Sequence, residues 1–131
     1  MRIPRRLITV LFLAVFFLPA PGPAGPAIAE DVGFLSVFED MPLMPGLTED
    51  TERAMVFDKP EGRIVEAVAS GQASAAAVSR FYAEALPQLG WRAMGGDVFR
   101  REGEELRLEM LAGNGGVTVR FASAPIGAAG Q

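Results

Sequence analysis

The sequence predicts an α+β fold: one small domain in which a single helix packs on one face of an antiparallel sheet, with the elements in the approximate order ββαββββ. One stretch, residues 74–89, carries apolar side chains at spacings of three and four, which is the periodicity of a helix with one buried face. The four segments that follow, within residues 91–122, are short apolar or alternating runs separated by glycine-rich breaks. Such runs are typical of antiparallel strands joined by tight turns.

Two strands are expected before the helix. Residues 63–69 are mostly apolar and are followed by Gly71, a pattern that favours a central strand. Residues 54–57 are expected to pair with them across a turn at residues 58–62, which contains aspartate, proline and glycine.

The helix is expected to begin after Ser74 and to end near Leu89. A serine at the N-cap accepts a hydrogen bond from an unpaired amide of the first turn. Gly90 suits the position just past the last turn because glycine adopts positive φ without a steric cost. Pro87, in the last turn, removes one backbone hydrogen bond. The predicted apolar face consists of Val78, Phe81, Tyr82, Ala85, Leu86 and Leu89.

After the helix, a β-meander is expected. Its four strands are predicted at residues 91–94, 98–101, 106–111 and 117–122. In the last two strands apolar residues alternate with polar ones, so one face of the sheet should be buried and the other should meet water. Glu109 belongs to the polar side, in register with Arg107 or Arg120, and is expected to act as a solvated cross-strand partner.

Residues 1–29 have the organisation of a cleavable secretory signal peptide. Three arginines among the first six residues precede a largely apolar run at residues 7–18. This run is shorter than the roughly 20 residues that span a bilayer, so an uncleaved anchor is the less favoured alternative. The sequence Ala-Ile-Ala places cleavage before Glu30. We expect a periplasmic or extracellular protein with no stable membrane anchor, exported by the general secretory route. The pair Arg5 and Arg6 leaves the twin-arginine route as the alternative.

Cleavage would leave one domain of ordinary size. The remaining 102 residues are enough for one hydrophobic core. An extended N-terminal segment, residues 30–52, is expected to precede the α+β domain at residues 53–123. Residues 124–131 are expected to form a flexible tail because they hold little that could pack.

The composition excludes several large classes of chemistry. Histidine and cysteine are both absent, which removes the usual general base, every thiol nucleophile and the common ligands of zinc, haem and iron-sulfur clusters. We therefore expect no catalytic residue and no cofactor. The formal charge of −4 becomes −7 after cleavage, because the leader contains three arginines and no acids. This charge argues against nucleic acid as a partner.

The sequence Met-Pro-Leu-Met-Pro-Gly-Leu at residues 41–47 has three possible roles. Its prolines hold the backbone extended, so it suits an internal strap against its own domain. It also suits a segment that docks into a partner's groove. The candidate docking residues are Phe34, Phe38, Met41, Leu43, Met44 and Leu47. The third role is a Cu(I) site, because Met41 and Met44 are soft ligands three residues apart.

Residues 82–91, Tyr-Ala-Glu-Ala-Leu-Pro-Gln-Leu-Gly-Trp, carry a resemblance to a group of known proteins. They resemble the helix end of uncharacterised small exported bacterial proteins, which have a signal peptide, a helix ending in Tyr-x3-Leu-x2-Leu-Gly-Trp and then a β-meander. The resemblance covers residues 63–122 and implies the same order of elements. It implies no known activity and no catalytic residue. We expect Trp91 to cover the core rather than to stack on a ligand.

Taken together, these features favour an exported, non-enzymatic domain that binds another protein or an envelope component. The binding surface is expected to be the sheet face or the segment at residues 34–47. A small-ligand or Cu(I)-binding protein that uses the methionine pair is the alternative. An enzyme with a pair of carboxylates is the third hypothesis. The oligomeric state is left open.

Overall fold

The computed structural model describes residues 32–128, together with Gly22 and Gly25. The remainder of the predicted signal peptide lies outside the described residues. The elements are β1 (Leu47–Glu49), a short 3-10 turn (Thr51–Arg53), β2 (Met55–Lys59), β3 (Gly62–Gly71), α1 (Ala75–Gln88), β4 (Arg92–Gly95), β5 (Val98–Arg101), β6 (Glu104–Gly113) and β7 (Gly116–Pro125). The predicted α+β fold, with one helix on one face of an antiparallel sheet, is confirmed.

The sheet has seven strands, one more than the sequence predicted. Its order is β1-β3-β7-β6-β5-β4, and β2 also pairs with β3. The additional strand, β1, pairs with residues 69–71 of β3, while β2 pairs with residues 62–66 of the same strand. The two short strands therefore form one sheet edge that the 3-10 turn interrupts. Three residues are too few to show an alternating pattern, so β1 had no recognisable signal in the sequence.

The helix begins and ends where its capping residues predicted. The Ser74 hydroxyl accepts a hydrogen bond from the Ala77 amide at 3.0 Å. At the other end Gly90 has a φ of 87°, a backbone conformation that glycine adopts without strain. Pro87 is accommodated in the last turn, just before the C-cap residue Leu89. Val78, Tyr82 and Leu86, spaced by four residues, are the buried side chains of the helix.

Alternation along the strands separates the sheet into two faces. The helix packs on the face that carries the apolar side chains, which include Phe99, Leu106, Leu108, Val117, Val119 and Phe121. Within this core the rings of Tyr82 and Phe121 meet edge to face at 5.2 Å between centroids. The opposite face, which we call the open face, carries charged side chains of neighbouring strands. Those with ion pairs are Glu66, Arg100, Glu105, Arg107, Glu109 and Arg120.

Two glycines allow three backbone segments to approach closely at one end of the sheet. A Cβ atom on Gly71 would lie 2.0 Å from the carbonyl oxygen of Gly46, and a Cβ atom on Gly116 would lie 2.4 Å from the carbonyl oxygen of Gly71. Real Cβ atoms do not approach carbonyl oxygens this closely, so side chains at these positions would push the strands apart. These glycines hold β1 and β7 in place on either side of β3.

Candidate functional site

Residues 33–44 form a loop that folds back on the domain, which we call the strap. Phe34 and Pro42 form an isolated β-bridge within it. The Leu35 amide donates to the Met41 carbonyl at 3.0 Å, and the Leu43 amide donates to the Gly33 carbonyl at 2.7 Å. Leu35 and Met41 are fully buried in the same core as the helix. The N-terminal segment expected at residues 30–52 thus contributes both core residues and a strand to the domain.

The candidate docking residues of the sequence analysis separate into three groups in the structure. Met41 and Leu47 are buried in the core, while Phe38, Leu43 and Met44 are half-buried and pack against it. Phe34 is 61% exposed. The structure therefore places this segment as a strap on its own domain, and most of its apolar surface is already covered there.

Tyr82 joins the strap to the helix. Its buried hydroxyl donates a hydrogen bond to the Pro42 carbonyl at 2.8 Å and accepts one from the Met44 amide at 3.2 Å. Burial raises the pKa of Tyr82 to about 12, because the phenolate would lose its solvation, and the Met44 amide only partly offsets this effect. One phenol thus satisfies two backbone groups of a segment that forms few hydrogen bonds of its own.

A second attachment of the strap is an ion pair between Asp40 and Arg101. The guanidinium donates to both carboxylate oxygens, at 2.6 and 3.2 Å, and also to the Leu89 carbonyl at 2.9 Å. It lies 4.4 Å from the centre of the Trp91 ring, in cation-π contact. The hydrogen bond to Asp40 raises the pKa of Arg101, which stabilises the protonated guanidinium.

Trp91 lies where the sequence analysis expected it, as a buried residue at the edge of the core. Its Nε1–H has no hydrogen-bond partner among the described residues. A buried donor without an acceptor costs stability. The contact of its ring with Arg101 nonetheless ties β5 and the strap to the end of the helix.

The methionine pair is divided between two environments. Met41 is fully buried, whereas Met44 is half-buried and its amide is bonded to Tyr82. Among residues 32–128 no group of three or more carboxylates is placed to hold a metal ion. Met55 and Met94, on the two outer strands, are both exposed.

Carboxylates on the open face are bonded to arginines. Glu109 accepts from Arg120 at 2.9 Å, the cross-strand partner expected from the sequence. Arg120 also bonds Glu66 on the neighbouring strand. Glu105 is shared by Arg100 and Arg107, and these contacts lower the pKa of Glu105. The charged form of Glu105 is therefore stabilised, as is usual for a carboxylate in a structural ion pair.

The outer edge of the sheet at β2 is a surface that the sequence did not predict. Among the described residues β2 pairs with β3 alone, so its other side presents backbone N–H and C=O groups. Three consecutive large apolar residues, Met55, Val56 and Phe57, are each 36% to 47% exposed there. The other outer strand, β4, has a register shift between Ala93 and Gly95, which interrupts a regular edge.

A signal for this edge was present in the sequence. The run Met-Val-Phe stands before Asp58 and Lys59, which are the last two residues of β2, and the run itself contains neither proline nor a charge, the features that commonly protect an outer strand. The sequence predicted that residues 54–57 pair with the strand at residues 63–69, but it did not predict an outer position, because neither the place of a strand in the sheet nor its exposure can be read from composition.

Comparisons with protein-family models, curated proteins and solved structures found no match to this chain. Within the part of the chain that the structure describes, no helix is long and apolar enough to span a membrane.

Proposed function

We propose that this protein is an exported, non-enzymatic domain that binds another protein of the cell envelope by adding a strand to the outer edge of β2. The observation that carries the proposal is the unpaired edge of β2 with its three exposed apolar side chains. The features of residues 1–29 that predict a signal peptide support the location.

Strand addition uses two kinds of contact that this edge offers. An extended segment can pair with the outward N–H and C=O groups, which gives affinity with little dependence on sequence. Side chains then give specificity. Met55 and Phe57 lie on the open face, and Val56 lies on the helix face, so a bound strand would meet apolar side chains on both of its sides. Covering the exposed part of each of these three side chains contributes roughly 1 kcal/mol to the free energy of binding.

The partner we favour is a different protein whose extended segment carries apolar residues on both faces and is neutral or basic. The chain has a formal charge of −4, so two copies would repel each other at long range. A neutral or basic segment avoids this repulsion. The strap is the less suitable docking segment because its own domain already covers Leu35 and Met41.

Photo-crosslinking in cells tests the proposal. The full chain, expressed with its own leader, carries the photoreactive residue p-benzoylphenylalanine in place of Phe57 or, as a matched control, of Met94 on the other outer strand. We expect position 57 to crosslink to an extended segment of one identified envelope protein and position 94 to give none of this product. Met55→Thr with Val56→Thr should lower the yield about tenfold, because both contacts are lost.

Three outcomes would contradict strand addition by a different protein. One is equal crosslinking from positions 57 and 94. Another is a product that contains only a second copy of this chain, which would identify β2 as a self-association edge. The third is the absence of any product from position 57 in a protein whose circular dichroism and melting temperature match the wild type.

A further inference from the structure

Positive charge is concentrated at one corner of the open face. Arg92 on β4 lies directly opposite Arg100 on β5 in the register of the sheet. Like charges at directly opposed positions destabilise a pair of strands. Among the described residues, no carboxylate lies within ion-pair distance of Arg92. None of the surrounding contacts explains the pairing of Arg92 with Arg100 as a stabilising feature of the sheet.

A single carboxylate serves the neighbouring arginines. Glu105 on β6 is only 6% exposed and bonds Arg100 at 2.9 Å and Arg107 at 2.6 Å. Arg100 and Arg107 thus share the one charge of Glu105, while Arg92 beside them has no ion-pair partner among the described residues. Together these four side chains carry an excess of positive charge on a chain whose formal charge is −4. Such an excess within an acidic protein attracts anions to this corner.

An open pocket of about 350 Å³ lies at the same corner. Arg92, Arg100 and Arg101 line it, but the charge of Arg101 is already matched by Asp40 at 2.6 Å. The other walls include Met94 and Ile126, both about half exposed, and Glu102. A volume of this size is at the lower end of the range for small-molecule sites.

We propose that this pocket binds an organic monoanion: a carboxylate attached to a short apolar body. The carboxylate would accept two parallel hydrogen bonds from the guanidinium of Arg92, the geometry in which arginine recognises carboxylates. The apolar body would lie on Met94 and Ile126, the exposed hydrophobic walls. Bound in this way, the ligand supplies the negative charge that the Arg92–Arg100 pair lacks.

The other wall of the pocket limits the charge of the ligand. Glu102 lies in the two-residue turn between β5 and β6 and has a φ of 48°, with Gly103 at 84°, which suits the tight turn of a hairpin. The turn keeps the backbone of Glu102 at the rim of the pocket. A second negative charge on the ligand would be repelled by Glu102, so a monoanion is favoured over a phosphate dianion. This site is separate from the β2 edge and does not depend on it.

Titration with hexanoate tests the proposal, with hexanol as the uncharged control of the same length. We expect hexanoate to bind with a Kd of about 1 mM or below, observed by calorimetry and as a shift of the Met94 methyl resonance. Arg92→Gln should weaken binding at least about tenfold, and Arg92→Lys by less, because lysine keeps the charge but loses the paired donors. Arg80→Gln, on the exposed side of α1, is the matched control and should bind as the wild type does.

The variants separate binding from folding. Arg92→Gln removes no ion pair found among the described residues, so its melting temperature should equal or exceed that of the wild type. Equal binding of hexanol, undiminished binding by Arg92→Gln, or stronger binding of inorganic phosphate than of hexanoate would each overturn the proposal. So would binding to phosphatidylglycerol vesicles in the absence of any binding of hexanoate, because the anion site would then recognise a membrane surface.

Discussion

Removing the hydroxyl of Tyr82 is the sharpest test of how the strap is held. The phenol is fully buried and forms two hydrogen bonds with the strap, one to the Pro42 carbonyl and one from the Met44 amide. Tyr82→Phe keeps the ring and its edge-to-face contact with Phe121. The change therefore leaves both backbone groups without a partner while most of the packing is retained.

The expected loss is about 2 kcal/mol in the free energy of unfolding. Each intramolecular hydrogen bond contributes about 1 kcal/mol net, and a buried group left unpaired costs at least as much. For a domain of about 100 residues, 1 kcal/mol corresponds to roughly 4–8 °C in melting temperature. We therefore expect Tyr82→Phe to melt about 10 °C below the wild type.

Urea denaturation and amide hydrogen exchange measure the effect. The midpoint of unfolding should fall with an unchanged slope, because the surface exposed on unfolding is the same. The Met44 amide should lose protection by more than the global change in stability accounts for. The Ala77 amide, bonded to Ser74, is the internal control and should follow the global change alone. An unchanged midpoint and an unchanged Met44 amide would refute the role of the phenol.

Four other measurements concern Tyr82, Gly71, Glu105 and the cleavage site before Glu30. The single tyrosine, Tyr82, should titrate near pH 12 when its absorbance at 295 nm is followed. Because the folded protein holds this proton more tightly than the unfolded chain does, the free energy of unfolding should fall by about 2–3 kcal/mol as the pH rises from 10 to 12. The variant Tyr82→Phe should not show this fall. Gly71→Ala should destabilise severely, by about 3 kcal/mol or more, since its Cβ would overlap a carbonyl oxygen, whereas Gly113→Ala meets no atom within 4 Å and should be nearly neutral in thermal melts. Glu105→Gln should lower the melting temperature at pH 7 and should flatten the loss of stability that the wild type shows as the pH falls below 4.5, because the pKa of this carboxyl is lowered by folding. Terminal sequencing of the exported protein should begin at Glu30, and a start at residue 1 would contradict the predicted cleavage.

The parts of the fold that local patterns control were predictable. Ser74 and Gly90 predicted both ends of the helix because capping depends on a few neighbouring residues. Alternation also predicted which side of β6 and β7 is buried, since successive side chains of a strand point to opposite faces. The cross-strand bond of Glu109 with Arg120 followed from the same alternation.

The candidate site was predictable only in part. The Met-Pro sequence suggested a strap, but its attachment through Tyr82 and Asp40 joins residues about 40 and 60 positions apart in the chain. The β2 edge was missed because exposure depends on which strand is outermost. Strand β7, last in the chain, lies at the centre of the sheet and continues through Pro125, into the tail expected at residues 124–131.

By itself the sequence determined the fold class, the helix with its caps, the absence of histidine and cysteine chemistry, and the acidic charge. These properties depend on composition and on periodicities of two or about four residues, which are local. Only the tertiary structure decided that β2 forms an outer edge, that Arg92 faces Arg100, and that the strap returns to its own core. Those arrangements depend on strand order, register and long-range packing. The contacts that stabilise them join residues far apart in the chain, so no local pattern of residues predicts them.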